Sequence, residues 1–213
     1  MSKRSYDQPT CGLASALDLL GERWTLLIVR ELLMGPQRYS DLQQSLPGMG
    51  TNLLAGRLKH LESIGVVERR QLPPPAASSV YDLTELGQQL EDVVIGLAKW
   101  GSHFAAEPCE MTFEPRRQAF AMFAHFNRDE AEGVDEVYEY RVDEHVIHAH
   151  VRLGHVTATP AIGRQPDAVL QMDTAGFCDL FERGAKLHEL IDAGRVQARG
   201  DAPVVTRSVS LFR

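Results

Sequence analysis

The chain lacks an apolar run anywhere near the ~20 residues a membrane-spanning helix needs. Its opening stretch, MSKRSYDQPT, is polar and has no apolar core of a secretory leader. A cytoplasmic location without membrane association is expected. Cysteine is scarce: Cys11, Cys109 and Cys178 are too few and too scattered for a disulfide framework or a zinc cluster. A basic excess is also missing. The formal net charge of -7 argues against a protein that coats nucleic acid without selection, and against one that sits on anionic membranes. No nucleophile elbow, phosphate-cradling glycine loop or H-E-x-x-H motif is present, and Asp201 and nearby carboxylates have no evident partner. Neither an enzyme nor a cofactor is expected. There is no internal repeat, and low complexity is confined to Pro73, Pro74 and Pro75.

What is present is periodicity, and it changes character near Glu107-Pro108. Before that point helical spacing dominates; after it, alternating segments such as VDEVYEYRV and HVIHAHVRL appear. Two domains are expected, residues 1–107 and 108–213. The acid load follows the division. From residue 108 onward 12 Lys and Arg oppose 17 Asp and Glu, whereas residues 57–70 carry four cations against two acids. Local charge decides contact with DNA, so selective binding by the first half stays open.

In that half Leu13, Ala16, Leu17 and Leu20 predict a helix that Gly21 ends. Residues 24–34 are apolar nearly all round and predict a buried central helix, stopped by Gly35-Pro36. Ser40 with Gln43 fits a capping box for a short helix, which Pro47-Gly48 breaks. Thr51 or Gly50 caps the next helix, residues 52–64, and Gly65 closes it. Residues 66–71 and 80–83 read as a two-stranded ribbon with the prolines at its tip. Thr84 then caps one closing helix carrying Leu86, Leu90, Val93, Val94, Leu97 and Trp100. This order is that of a mainly α winged helix-turn-helix, which offers one helix and one ribbon to duplex DNA.

A recognition helix needs an apolar face for docking and a polar face for the groove. At about 100° per residue, Leu53, Leu54, Leu58, Leu61 and Ile64 share one side. Asn52, Ala55, Gly56, Lys59 and Ser63 share the other, with Thr51 at the edge. Asn52 suits adenine, Lys59 a phosphate or guanine, and the small Ala55 and Gly56 admit close approach. The same pattern fits an ordinary surface helix. Arg57 falls among the leucines and reads as a structural bridge, or as a phosphate contact from the flank. Arg38 and Ser40, at the start of the short helix, are candidates for phosphate contact. Tyr39 reads better as a half-buried packing residue. Of Arg69 and Arg70 on the ribbon, adjacent strand positions allow at most one to face the same DNA surface.

The residues Cys11, Leu17, Gly21-Glu22-Arg23-Trp24, Arg30-Glu31-Leu32, Gly35, Arg38-Tyr39-Ser40-Asp41-Leu42, Leu46-Pro47-Gly48, Leu54, Arg57-Leu58, Leu61-Glu62, Gly65, Tyr81, Leu83-Thr84, Gly87 and Trp100-Gly101 resemble the HxlR-type branch of winged-helix regulators. The resemblance implies homodimers on palindromic operators, with terminal helices forming the dimer contact. That family usually has phenylalanine where Tyr39 stands. Cys11 occupies the position of a cysteine that some relatives use to sense oxidants or electrophiles; the plainer reading is a small residue at a helix start.

The second half resembles a sterol-carrier-protein-like domain through HAHVRLGHVTATPAIG, PDAVLQMDTAGFCDLFERG and LIDAGRVQARGDAPVVTRSVSLF. It implies an α+β fold with an apolar pocket for a lipid or other hydrophobic effector. Residues 167–173 alternate as a strand, Thr174 caps a helix, and Gly200-Asp201 leads into a last one. Met172, Phe177, Leu180, Phe181, Leu187, Ile191 and Phe212 are candidates to line the pocket, or simply to fill the core. His148 and His150 share one strand face, with His145 on the other; alternation with Ile147, Ala149 and Val151 is what a half-exposed strand produces, so no metal is expected. Asp143-Glu144 reads as a turn. The whole is expected to be a dimeric DNA-binding transcriptional regulator, a repressor, tuned by a hydrophobic effector. The alternatives are a hydrophobic-metabolite carrier whose winged helix contacts proteins, and an enzyme using the second domain's pocket.

Overall fold

The computed structural model describes Tyr6, Gln8 and residues 10–73, 78–104, 113–159 and 164–213. Pro74, Pro75, Cys109 and the boundary expected at 107/108 lie outside the described residues. Internal contacts divide the chain into two units, residues 1–95 and 96–213.

In the first unit α1 (Gly12–Leu20), α2 (Thr25–Leu33), α3 (Tyr39–Ser45) and α4 (Thr51–Ser63) precede a ribbon of β1 (Val67–Gln71) and β2 (Ser79–Leu83), then α5 (Glu85–Gln88); α6 (Glu91–Gly101) begins in this unit and runs past its end at residue 95. The core is Ile28, Val29 and Leu32 of α2, Leu42 and Leu46, Leu54, Leu58 and Leu61 of α4, and Val67 and Val80 of the ribbon, all buried. Burial of these side chains is the main favourable term holding the helices together. The winged helix-turn-helix expected from the sequence is the fold observed. The ribbon pairs antiparallel from Val67–Leu83 to Gln71–Ser79. Gln37 adds an isolated antiparallel bridge on the other edge of β2: its N–H donates to Tyr81 O (3.0 Å) and its carbonyl accepts from Tyr81 N (2.7 Å).

Several local expectations are corrected. The capping box on α3 is not Ser40 with Gln43. The helix begins at Tyr39, Asp41 accepts from Arg38 N, and Gln43 Nε2 donates instead to Met49 O at 2.6 Å. Thr84 caps as expected, accepting from Gly87 N at 3.1 Å, but the helix it starts is short. The chain tightens where Leu90 N bonds to Gly87 O, and a second helix follows. Tertiary contact fixes the break. A Cβ on Gly87 would lie 2.1 Å from Val66 O, so α5 is pressed onto the backbone leading into β1. Leu27 on α2 is exposed, so that helix is not buried all round.

The second unit holds α7 (Pro115–Ala124), β3 (Asp135–Val142), β4 (His145–Arg152), β5 (His155–Thr159), β6 (Ala168–Met172), α8 (Thr174–Phe181), α9 (Leu187–Asp192), β7 (Val196–Gly200) and α10 (Ala202–Ser210). The sheet order is β5-β4-β3-β6-β7, with β3 and β6 parallel and every other pair antiparallel. Helices pack on β4, β6 and β7. Period-2 alternation buries Tyr138, Tyr140, Ile147, Ala149, Leu170 and Met172. This is the α+β fold expected. The cap of α8 is Asp173, not Thr174: Asp173 Oδ1 accepts from Gly176 N at 2.6 Å. Thr174 is instead held by Asp143, whose Oδ2 accepts from its N–H (3.1 Å) and hydroxyl (2.6 Å). Asp143-Glu144 does form the turn, with Asp143 at φ 50, and it also ties the hairpin to α8.

Candidate nucleic-acid interface

The site is built on α4. Gly50, in extended backbone, is its N-cap. Gly65, at φ 73, ends it: Val66 N bonds to Leu61 O at 3.0 Å and Gly65 N to Glu62 O at 3.1 Å. That is a Schellman motif, which an αL glycine permits without a Cβ penalty. Leu54, Leu58 and Leu61 are buried, and they fix which side of the helix faces out. Thr51, Asn52, Ala55, Gly56, Lys59 and Ser63 are all exposed. Gly56 has open space where a Cβ would be, so packing within the protein does not require a glycine there. Ser63 Oγ donates back to His60 O at 2.7 Å.

The apolar side is narrower than its sequence suggests. Leu53 is 40% exposed and Ile64 half-buried. Leu53 lies about 100° from the middle of the Leu54–Leu58–Leu61 stripe, at the helix flank. That flank faces the last turn of α1 and the residues just after it. Arg57 Nη2 donates to Glu22 Oε2 at 2.8 Å, and His60 Nε2 lies 2.9 Å from Leu19 O.

Arg38 and Ser40 are exposed at the start of α3. Asp41 occupies the same end, taking the Arg38 N–H at 3.3 Å and the Ser40 hydroxyl at 3.1 Å. Tyr39 is half-buried, and its hydroxyl donates to Thr51 O at 2.7 Å, joining the first turns of α3 and α4. The hydroxyl that sets Tyr39 apart from phenylalanine is therefore engaged. On the ribbon Arg70 pairs with Asp82 at 2.5 Å. Arg69 meets a hydroxyl and a ring, donating to Ser79 Oγ at 2.7 Å with its guanidinium 6.0 Å from the Tyr81 centroid. Both arginines are exposed, on opposite ribbon faces, and Arg70 shares its charge with a carboxylate. Cys11 is half-buried at the N-cap of α1.

In the second unit the aromatic side chains form a chain of contacts. Phe177 meets Phe113 and Phe181, Phe181 meets Tyr140, and Phe212 meets Tyr138, Tyr140, Phe123 and Phe126. Met172, Phe177, Leu180 and Phe212 are buried, Phe181 and Leu187 half-buried, and Ile191 is exposed on α9. The polar sheet face pairs His148 with Glu139 (2.8 Å) and His150 with Asp135 (3.1 Å) across β3 and β4. Burial pushes the Glu139 carboxyl up, but hydrogen bonds from Arg141 and His148 outweigh it and hold it below the ordinary value. No group of three or more potential metal ligands occurs among the described residues.

The Gln37 bridge to β2 and the His60–Leu19 contact were not read from the sequence. A lone glutamine after Gly-Pro carries no strand pattern, and a carbonyl partner leaves no trace in residue type.

Residues 19–108 match the HxlR-like helix-turn-helix family and residues 122–213 the SCP-2 sterol transfer family. The chain is 36% identical over 105 residues to the HTH-type transcriptional regulator YodB of Bacillus subtilis, covering 49% of this chain and 93% of that protein. It is 38% identical over 89 residues to the HTH-type regulator YvaP of the same organism, covering 42% and 82%. Among solved structures the reduced form of YodB is 37% identical, with a TM-score of 0.40 over 45% of this chain and 95% of that one. The chain therefore belongs to the HxlR-like helix-turn-helix family of transcriptional regulators, with an SCP-2 sterol transfer family domain following in the same polypeptide.

Proposed function

We propose that the chain is a homodimeric repressor that binds a palindromic operator through residues 1–107 and takes a hydrophobic effector into residues 108–213. The observation that carries the reading is the free face of α4: Asn52, Ala55, Gly56 and Lys59 all stand exposed on a helix whose leucines anchor it to the core. Asn52 can read an adenine edge and Lys59 a guanine or phosphate, while Arg38, Ser40, Thr51, Ser63 and one of the ribbon arginines, Arg69 or Arg70, contact backbone around them. Two such helices in a dimer fall about 34 Å apart along one face of the duplex, or a multiple of that.

The effector reading is supported by the match to the SCP-2 family and by the cluster of aromatic rings joining Phe177, Phe181 and Phe212; Met172, Leu180, Leu187 and Ile191 are the further candidates to contact the effector. An effector changes operator affinity only through a difference in its own affinity for two protein states. Cys11 is the candidate redox site.

A gel shift against DNA upstream of the chain's own gene tests the whole. One fragment is bound tightly, with affinity falling steeply as salt rises. Hydrophobic additives change that affinity, and electrophiles change it in the wild type but not in Cys11→Ser. Unselective binding, or none, overturns the reading.

A further inference from the structure

The corner between α1 and α2, residues 21–24, is built more tightly than a connection requires. Gly21 N donates to Leu17 O at 2.8 Å, and a Cβ on Gly21 would lie 2.5 Å from that same oxygen. Trp24 adopts φ 81, a left-handed backbone that a bulky residue rarely takes unless its surroundings hold it there. Its indole reaches to 3.8 Å from the Cβ position of Gly48, in the turn between α3 and α4. Glu22 accepts from Arg57, and Leu19 O lies against His60, so α4 is gripped at two points one turn apart. The corner thus touches both the turn and the second helix of the helix-turn-helix.

Meanwhile α1 is poorly embedded. It buries only Ala14 and leaves Leu13 70% exposed, with Leu17 and Leu19 also in solvent. Arg57 is the reverse case: its side chain is 22% exposed and its Nε is buried, so the guanidinium is committed inward.

We infer that Glu22 and Arg57 are positioning residues that set the attitude of α4 toward DNA by tying it to α1. Arg57 acts on DNA through Glu22, not by touching a phosphate. The inference rests on the DNA-binding reading above and adds a route by which the placement of α1 reaches the groove-facing helix. A half-exposed ion pair contributes little to folding, so its effect lies in geometry.

The test uses the full-length protein and the fragment that the wild type binds. Glu22→Gln and Arg57→Gln are each expected to weaken binding about fivefold or more. The double variant is no worse than either single one, and the charge swap Glu22→Arg with Arg57→Glu recovers most of the affinity. All four keep the melting temperature within about 2 °C and leave the slope of log affinity against log salt unchanged. If Arg57→Gln reduces that slope by about one while Glu22→Gln binds as well as wild type, Arg57 is a phosphate contact and the inference is overturned. Equal affinity across all variants overturns it too. A wild type that selects no DNA removes the DNA-binding reading itself, an outcome separate from wild-type binding with insensitive variants.

Discussion

Single residues divide here into those that face outward on α4 and those that serve the protein's own charge balance. Asn52→Ala, on the proposed base contact, is expected to cost about 1–3 kcal/mol on the operator and little on unrelated DNA. Lys59→Ala, if it loses a phosphate contact, weakens both and lowers the salt slope by about one. Gel shifts at several salt concentrations separate the two patterns, and unchanged affinity in both variants removes α4 as the docking face. On the sheet, Glu139 illustrates the other kind. Its carboxyl is held below the ordinary value, so its bonds to Arg141 and His148 stabilise the second unit above the unfolded carboxylate range. That contribution is lost as pH falls through the folded value. Melting followed by circular dichroism is expected to drop below about pH 4, and Glu139→Gln to start lower and fall less.

Elements were legible where their signals are local. Gly65 announced the end of α4, and Leu54, Leu58 and Leu61 announced its buried side. Thr84 announced a helix start, but the break at Leu90 did not show, because Gly87 is pinned by the carbonyl of Val66, distant in sequence. Asp173 and Thr174 are equally good capping types; the extended backbone at Asp173 and the reach of Asp143 decided between them. Leu53 looked like core by residue type and proved to be flank. The outward positions of the site could be read by subtraction once the buried stripe was known, whereas the grip of Glu22 on Arg57 needed three dimensions. Two glycines test this scale. Gly87→Ala drives a Cβ onto a backbone oxygen and is expected to cost about 2 kcal/mol in denaturant unfolding. Gly56→Ala meets nothing and is expected to stabilise α4 by about 0.5–1 kcal/mol while weakening operator binding, since on the proposed docking the added methyl points at the groove.

At the scale of the molecule, α6 carries Val93, Leu97, Trp100 and, just beyond it, Phe104 along one side, with Trp100 66% and Phe104 75% exposed. An isolated stripe of that kind is unusual on a monomer surface, and it supports assembly of two copies through terminal helices. Replacing Leu97 and Trp100 together by glutamate is expected to halve the mass measured by sedimentation and to abolish tight operator binding; an unchanged mass moves the dimer contact elsewhere. The outer strand β7 has a different bearing on association. It is five residues long, with Gly194 at φ 71 two residues before it and Gly200 at φ 127 as its last residue, the latter with no room for a side chain beside Asp167 O. A foreign strand seeking a straight ladder meets a bend at either end, which is how short edges resist fibre growth.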